Sequence, residues 1–141
     1  MEAYPHVYTV AANSEAGHVR LQSKGLDDLV TAPPAEFDGP GDLWSPETLM
    51  IAAIADCFIL SFRAIAAASR FDYRDISCEV EGTLDRIDKV TSFTEIRVKA
   101  RLKLIDSGDH DRGVKLLEKA EHNCLITNSM KAQLFLETEV S

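Results

Sequence analysis

The segment from Leu49 to Ala68 constrains this chain more than any other, because its residues are apolar almost all the way round a helix. A helix of that kind is stable in water only when other elements cover it. Ser45-Pro46-Glu47 supplies its start: a hydroxyl to cap free amides, a proline suited to the first helical position and a carboxylate at the positive end. The helix is predicted to run to about Ser69. Asp56 and Arg63 inside it argue against a membrane span, since both are costly in hydrocarbon. A chain of 141 residues offers one small sheet to cover one side of such a helix. The uncovered side predicts an obligate dimer with helices at its centre.

Around this helix the pattern is that of strands. Val7 to Ala11, His18 to Gln22 and Leu26 to Thr31 are short β-prone runs separated by Gly17 and Lys24-Gly25, which predicts an antiparallel meander. Ala32 to Asp42, rich in proline and glycine, reads as a loop. Ile76, Cys78, Val80 and Leu84 alternate with charged or polar residues, and after a turn near Asp88-Lys89 so do Ile96, Val98, Ala100, Leu102 and Leu104. A hairpin centred near Lys89 sets Glu81 opposite Arg97, Glu79 opposite Lys99 and Val80 opposite Val98, so that opposite charges pair on the wet face. Val114, Leu117, Ala120 and Cys124 then recur at near-helical spacing, predicting a helix that ends near Cys124, and Lys131 to Val140 alternates as a last strand. The sum is one α+β domain spanning residues 1–141.

A formal net charge of −8 disfavours nucleic acid and anionic membrane surfaces as partners, and no basic cluster overrides it. The N-terminus lacks the basic start and apolar stretch of a secretory signal, so the expected location is the cytoplasm. In that reducing compartment three cysteines point to packing, metal or redox chemistry and away from a disulfide framework. The scattered histidines and cysteines assemble no four-ligand set, and no metal site or other cofactor is expected. Glycines 39 and 41 do not have phosphate-loop spacing.

Chemistry therefore rests on the thiols. Cys57 lies mid-helix, where the dipole helps a thiolate little; Cys124, read as near a helix C-terminus, is disfavoured as an anion and suits a resolving thiol. Spacing alone favours core packing for both and leaves redox chemistry open. Cys78, on the apolar face of a strand, reads as packing. Glu47 fits either a functional carboxylate or a helix-dipole partner; it precedes Cys57 by ten positions, about 15 Å of helical rise, so contact requires a bend or another subunit. Asp56 and Arg63, two turns apart on one face, can offset each other within a bundle.

The blocks SPETLMIAAIADCF and LLEKAEHNCLITNSM, the loop PPAEFDGPG and the order of the strands around them resemble the OsmC/Ohr family of osmotically inducible and organic hydroperoxide resistance proteins, from about Gly17 to Val140. The resemblance implies an intertwined α+β homodimer, antiparallel sheets wrapped around central buried helices, and active sites at the subunit interface. It implies peroxidase activity toward organic hydroperoxides, with Cys57 as the peroxidatic thiol, Cys124 as the resolving one, and Glu47 as a carboxylate working with an arginine. An external dithiol would close the cycle. The family's arginine comes from the N-terminal strands or the loop after them; Arg20 is the nearby candidate, expected to bridge to Glu47, and the loop offers Ala35 and Glu36 instead. Leu125 follows Cys124 where many relatives have proline. The rival expectation is a noncatalytic dimer of the same fold that binds small apolar ligands and keeps its cysteines for structure.

Overall fold

The computed structural model describes residues Met1–Ser141. The chain divides into two compact units, Met1–Met50 and Ile51–Ser141, with the division falling in the first turns of the long helix.

In the first unit, β1 (Ala11–Glu15), β2 (His18–Gln22) and β3 (Leu29–Thr31) form an antiparallel sheet in the order β1-β2-β3. The meander is the expected one, but its first strand begins where the β-prone run Val7–Ala11 ends. The hairpin turn explains the shift: Ala16 and Gly17 both take positive φ, 45° and 88°, the twist that a two-residue connection between right-twisted strands requires. That fixes Glu15 opposite His18 and sets the pairing backward from there. The proline-rich loop closes on itself around Gly39, whose N–H donates to the Pro34 carbonyl at 3.0 Å. A Cβ at Gly39 would fall 1.7 Å from the Pro33 carbonyl oxygen, so no other residue fits there.

Helix α1 (Pro46–Ala68) starts as its sequence dictates. Ser45 Oγ accepts from the Thr48 N–H at 3.1 Å while Thr48 Oγ1 accepts from the Ser45 N–H at 2.8 Å, a reciprocal capping box with threonine in the place glutamate often fills.

In the second unit, β4 (Asp75–Ile87), β5 (Val90–Lys103) and β6 (Gln133–Val140) form the main sheet. The β4/β5 register is the one written in the charges, with Glu79 opposite Lys99, Val80 opposite Val98 and Glu81 opposite Arg97. Asp88 and Lys89 make the turn, both at positive φ. The ion pairs themselves run elsewhere: Arg97 binds Glu137 at 3.1 Å and Arg101 binds Glu139 at 3.2 Å, both on β6. Strand β6 lies parallel to β5, so this sheet is mixed and not purely antiparallel. A parallel neighbour requires a crossover, which α2 (His110–His122) supplies.

The inner face of this sheet carries Ile96, Val98, Ala100 and Leu102, packed with Ile54, Phe58, Phe62 and Ala66 of α1 and Leu116, Leu117 and Ala120 of α2. Spacing of four places the α1 residues on one stripe. Burial of each large side chain contributes about 1.5–3 kcal/mol. At Gly113 a Cβ would stand 2.9 Å from Leu102 Cδ2, which is how closely α2 approaches the sheet. By length and composition α1 could cross a membrane, yet this stripe of it belongs to the core.

Candidate active site

The second helix stops earlier than its apolar spacing suggests. It ends at His122, Asn123 caps it, and Cys124 begins a new short helix, α3 (Leu125–Asn128). Cys124 is therefore the residue that leads into a helix, not one that closes it, and the reading of a thiol at a helix C-terminus is corrected. The Asn128 N–H donates to the Cys124 carbonyl at 3.0 Å, which winds the turn. The first N–H groups of that turn have no carbonyl within it to bind.

Those amides face Cys57. Burial pushes the Cys57 thiol up, but the Ile126 N–H, the Cys124 thiol, the Ser61 hydroxyl and the Leu125 N–H act against burial and leave the thiol below its ordinary value. Ser61 Oγ lies 3.9 Å from Cys57 Sγ, one turn further along α1. Cys124, 1% exposed, goes the other way: burial raises it, Thr127 opposes through its amide and hydroxyl, and Cys57 raises it further. All three cysteines are free. The pair thus has the asymmetry of a thiolate and a thiol that donates to it. Cys78 takes no part; its thiol donates to the Ala55 carbonyl at 3.7 Å, and burial raises it.

Glu47 and Arg20 lie in the first unit and are not joined there. Arg20 Nε binds Glu15 at 3.2 Å and its Nη1 binds Asp28 at 3.3 Å, so its guanidinium is taken up by two carboxylates. Alternation along β2 explains why: Val19 and Leu21 line a groove of about 550 Å³ with Ala32, Pro33, Phe37 and Glu47, while Arg20 belongs to the opposite face of the strand. The expected Arg20–Glu47 bridge is absent. Glu47 Oε2 is buried without a hydrogen-bond partner. Helix α1 runs unbroken from Pro46 to Ala68, so no bend brings Glu47 to the Cys57 of its own chain.

Reasoning from sequence missed Ser61 and the two amides. Ser61 was legible as the position four after Cys57, on the same helical face. The amides carry no side-chain signal; the one available clue was Leu125, which has an N–H where a proline has none.

The fold and site define an α+β protein in which a long apolar helix and a following short helix bring two unlike free thiols together. The chain belongs to the OsmC-like protein family, whose model matches residues 39–139. Peroxiredoxin OsmC of Escherichia coli is 26% identical over 130 residues, covering 91% of this chain and 83% of that protein. The uncharacterized protein YmaD of Bacillus subtilis is 28% identical over 111 residues, covering 77% of this chain and 74% of its own length. An OsmC-like protein of unknown function from Vibrio cholerae has the same fold, with a TM-score of 0.87 at 17% identity over 96% of this chain and all of that one.

Proposed function

We propose that this chain is a thiol-dependent peroxidase that reduces organic hydroperoxides to alcohols, in defence against oxidative stress. The observation that carries the reading is the Cys57–Cys124 pair, in which one thiol is held below and the other above its ordinary value. The similarity to Peroxiredoxin OsmC of Escherichia coli supports the same chemistry.

The Cys57 thiolate attacks one peroxide oxygen, the O–O bond breaks, and the alkoxide leaves with a proton as the alcohol; the sulfur is oxidised to sulfenic acid. The Cys124 sulfur then displaces hydroxide from that sulfur, water leaves, and a Cys57–Cys124 disulfide remains. An external dithiol reduces it by exchange. The amides of Leu125 and Ile126 and the Ser61 hydroxyl hold the negative sulfur, a task that a nearby cation performs in other reactive cysteine sites.

The protein works in this reading as a cytoplasmic homodimer, without cofactor, nucleic acid or membrane. The exposed side of α1 supports the dimer. Glu47 would act through the second copy, since the rise of α1 keeps it about 15 Å from its own Cys57. The apolar groove beside Glu47 favours a second reading, a noncatalytic dimer that binds small apolar ligands. One experiment separates the two. Incubation with an organic hydroperoxide followed by intact and peptide mass spectrometry yields alcohol and a Cys57–Cys124 disulfide if the peroxidase reading holds, and three unmodified thiols if only binding occurs.

A further inference from the structure

We propose that the groove beside Glu47 takes an apolar molecule that brings its own positive charge, a hydrocarbon ending in a primary ammonium group, with the ammonium set on the Glu47 carboxylate. The inference goes beyond thiol chemistry. It names a ligand class for the groove that the second reading above gives to small apolar molecules, and it holds whether or not Cys57 turns over.

Every residue that lines the groove belongs to the first unit. Its walls are hydrocarbon, from Val19 and Leu21 of β2, Pro33 and Phe37 of the loop and Leu49 of α1. At about 550 Å³ it has the size of a small-molecule site. Glu47 is the one ionisable side chain among the lining residues. Its Oε2 is buried without a hydrogen-bond partner, a costly state for a carboxylate oxygen, since burial removes water and nothing answers the charge.

The groove does not supply the missing donor. Thr31, its other polar side chain, gives its hydroxyl hydrogen to the Val19 carbonyl at 3.4 Å. Val19 and Leu21 lie on the central strand of their sheet, paired on both sides. The Ala32 N–H donates to the Trp44 carbonyl at 3.0 Å, the Phe37 N–H to the Pro34 carbonyl at 2.9 Å and the Leu49 N–H to the Ser45 carbonyl at 2.8 Å. Pro33, Pro34 and Pro46 have no N–H to give. Arg20 and Lys24 are the only arginine and lysine of the unit. Arg20 is held by Glu15 and Asp28, and Lys24, in the turn after β2, does not line the groove. The donor must therefore arrive with the ligand.

Charge decides which donor. The first unit carries eight aspartates and glutamates against those two bases, so its field draws cations in and turns carboxylates away. An alcohol gives Glu47 a hydrogen bond; an ammonium gives one and answers the charge as well. The hydrocarbon tail then meets the apolar walls.

Isothermal titration of the reduced full-length protein with octylammonium, octanol and octanoate, three heads on one tail, tests the proposal in the absence of peroxide, with circular dichroism as the check of folding. Octylammonium is expected to bind roughly tenfold more tightly than octanol, or better, and octanoate more weakly than either. Glu47→Gln should bring octylammonium down to the level of octanol. Asp38→Asn removes the same charge from the exposed loop, at a φ of 62° that asparagine tolerates, and should leave octylammonium binding as in the wild type. An equal loss in both variants would show mere attraction to an acidic surface and overturn the site. Phe37→Ala, at a side chain 53% exposed, should weaken all three ligands and keeps the test decisive if Glu47→Gln does not fold; unchanged affinities in it overturn the site. Equal affinity for the three heads, or octylammonium binding that survives Glu47→Gln, overturns the proposal and leaves a plain apolar groove. No binding of any of the three overturns the proposal and the second reading together, and leaves the peroxidase reading standing.

Discussion

Cys57 and Cys124 differ in acidity, Cys57 lying below its ordinary value and Cys124 above it, and each thiol contributes to the other's shift beside burial and the amides of α3. A hydrogen bond shared between two like groups does this when one partner donates and the other accepts. Donation from Cys124 stabilises the Cys57 thiolate and raises the cost of ionising Cys124. In the proposed cycle this asymmetry would set the attacking thiol apart from the resolving one before any substrate arrives.

That asymmetry predicts a pH profile. The rate of Cys57 alkylation should fall only as pH drops through a midpoint below that of an ordinary thiol, because the thiolate is the reactive form and its folded-state pKa is lowered. Cys124 and Cys78, both raised, should react appreciably only at higher pH. Cys124→Ala removes a donor and should move the Cys57 midpoint upward. Mass-resolved alkylation across the pH range reads all three, and a Cys57 midpoint at or above that of free cysteine would contradict the assignment.

Leu125 gives the sharpest local prediction. Leu125→Pro deletes one N–H that faces Cys57, yet proline suits the first position of α3 and the Leu125 side chain is 65% exposed. The fold should survive. The Cys57 profile should shift upward and peroxide consumption at neutral pH should slow by roughly three- to tenfold, the ordinary net worth of one hydrogen bond. Leu125→Ala keeps the amide and should leave both unchanged.

Arg20 should behave differently. With its guanidinium bound to Glu15 and Asp28, Arg20→Ala is expected to leave the Cys57 alkylation profile superimposable on the wild type. An upward shift in that variant would return Arg20 to the site.

In the core, Phe58→Ala removes a side chain that is 1% exposed and packed between α1 and the main sheet. The expected loss is about 3–5 kcal/mol, read from urea unfolding monitored by circular dichroism. A loss below about 1 kcal/mol would show that this stripe of α1 is not core.

How much of this was legible in the sequence follows from what each signal encodes. The β4/β5 register was readable to the residue because alternation and opposite charges both depend on side chains, and a slip by one would bury Glu79 and Glu81. The start of α1 was readable because Ser45 and Pro46 act locally. The parallel placement of β6 was not, since alternation reports a face and says nothing of direction. Cys124 was misplaced because the apolar spacing of α2 continues past Asn123, where the backbone turns and a new helix begins. Both thiols of the candidate site were singled out from side-chain chemistry. What holds the Cys57 sulfur was missed because most of it is backbone.

The central claim, that Cys57 attacks an organic hydroperoxide and Cys124 resolves it, is tested most directly by single-turnover oxidation of the wild type, Cys57→Ser and Cys124→Ser with cumene hydroperoxide, followed by mass spectrometry. The account predicts an intrachain Cys57–Cys124 disulfide with Cys78 free in the wild type, no peroxide consumed by Cys57→Ser, and one equivalent consumed by Cys124→Ser with the product halted at the Cys57 sulfenic acid. Full peroxide turnover by Cys57→Ser, or a wild type whose thiols all survive the peroxide, would contradict it.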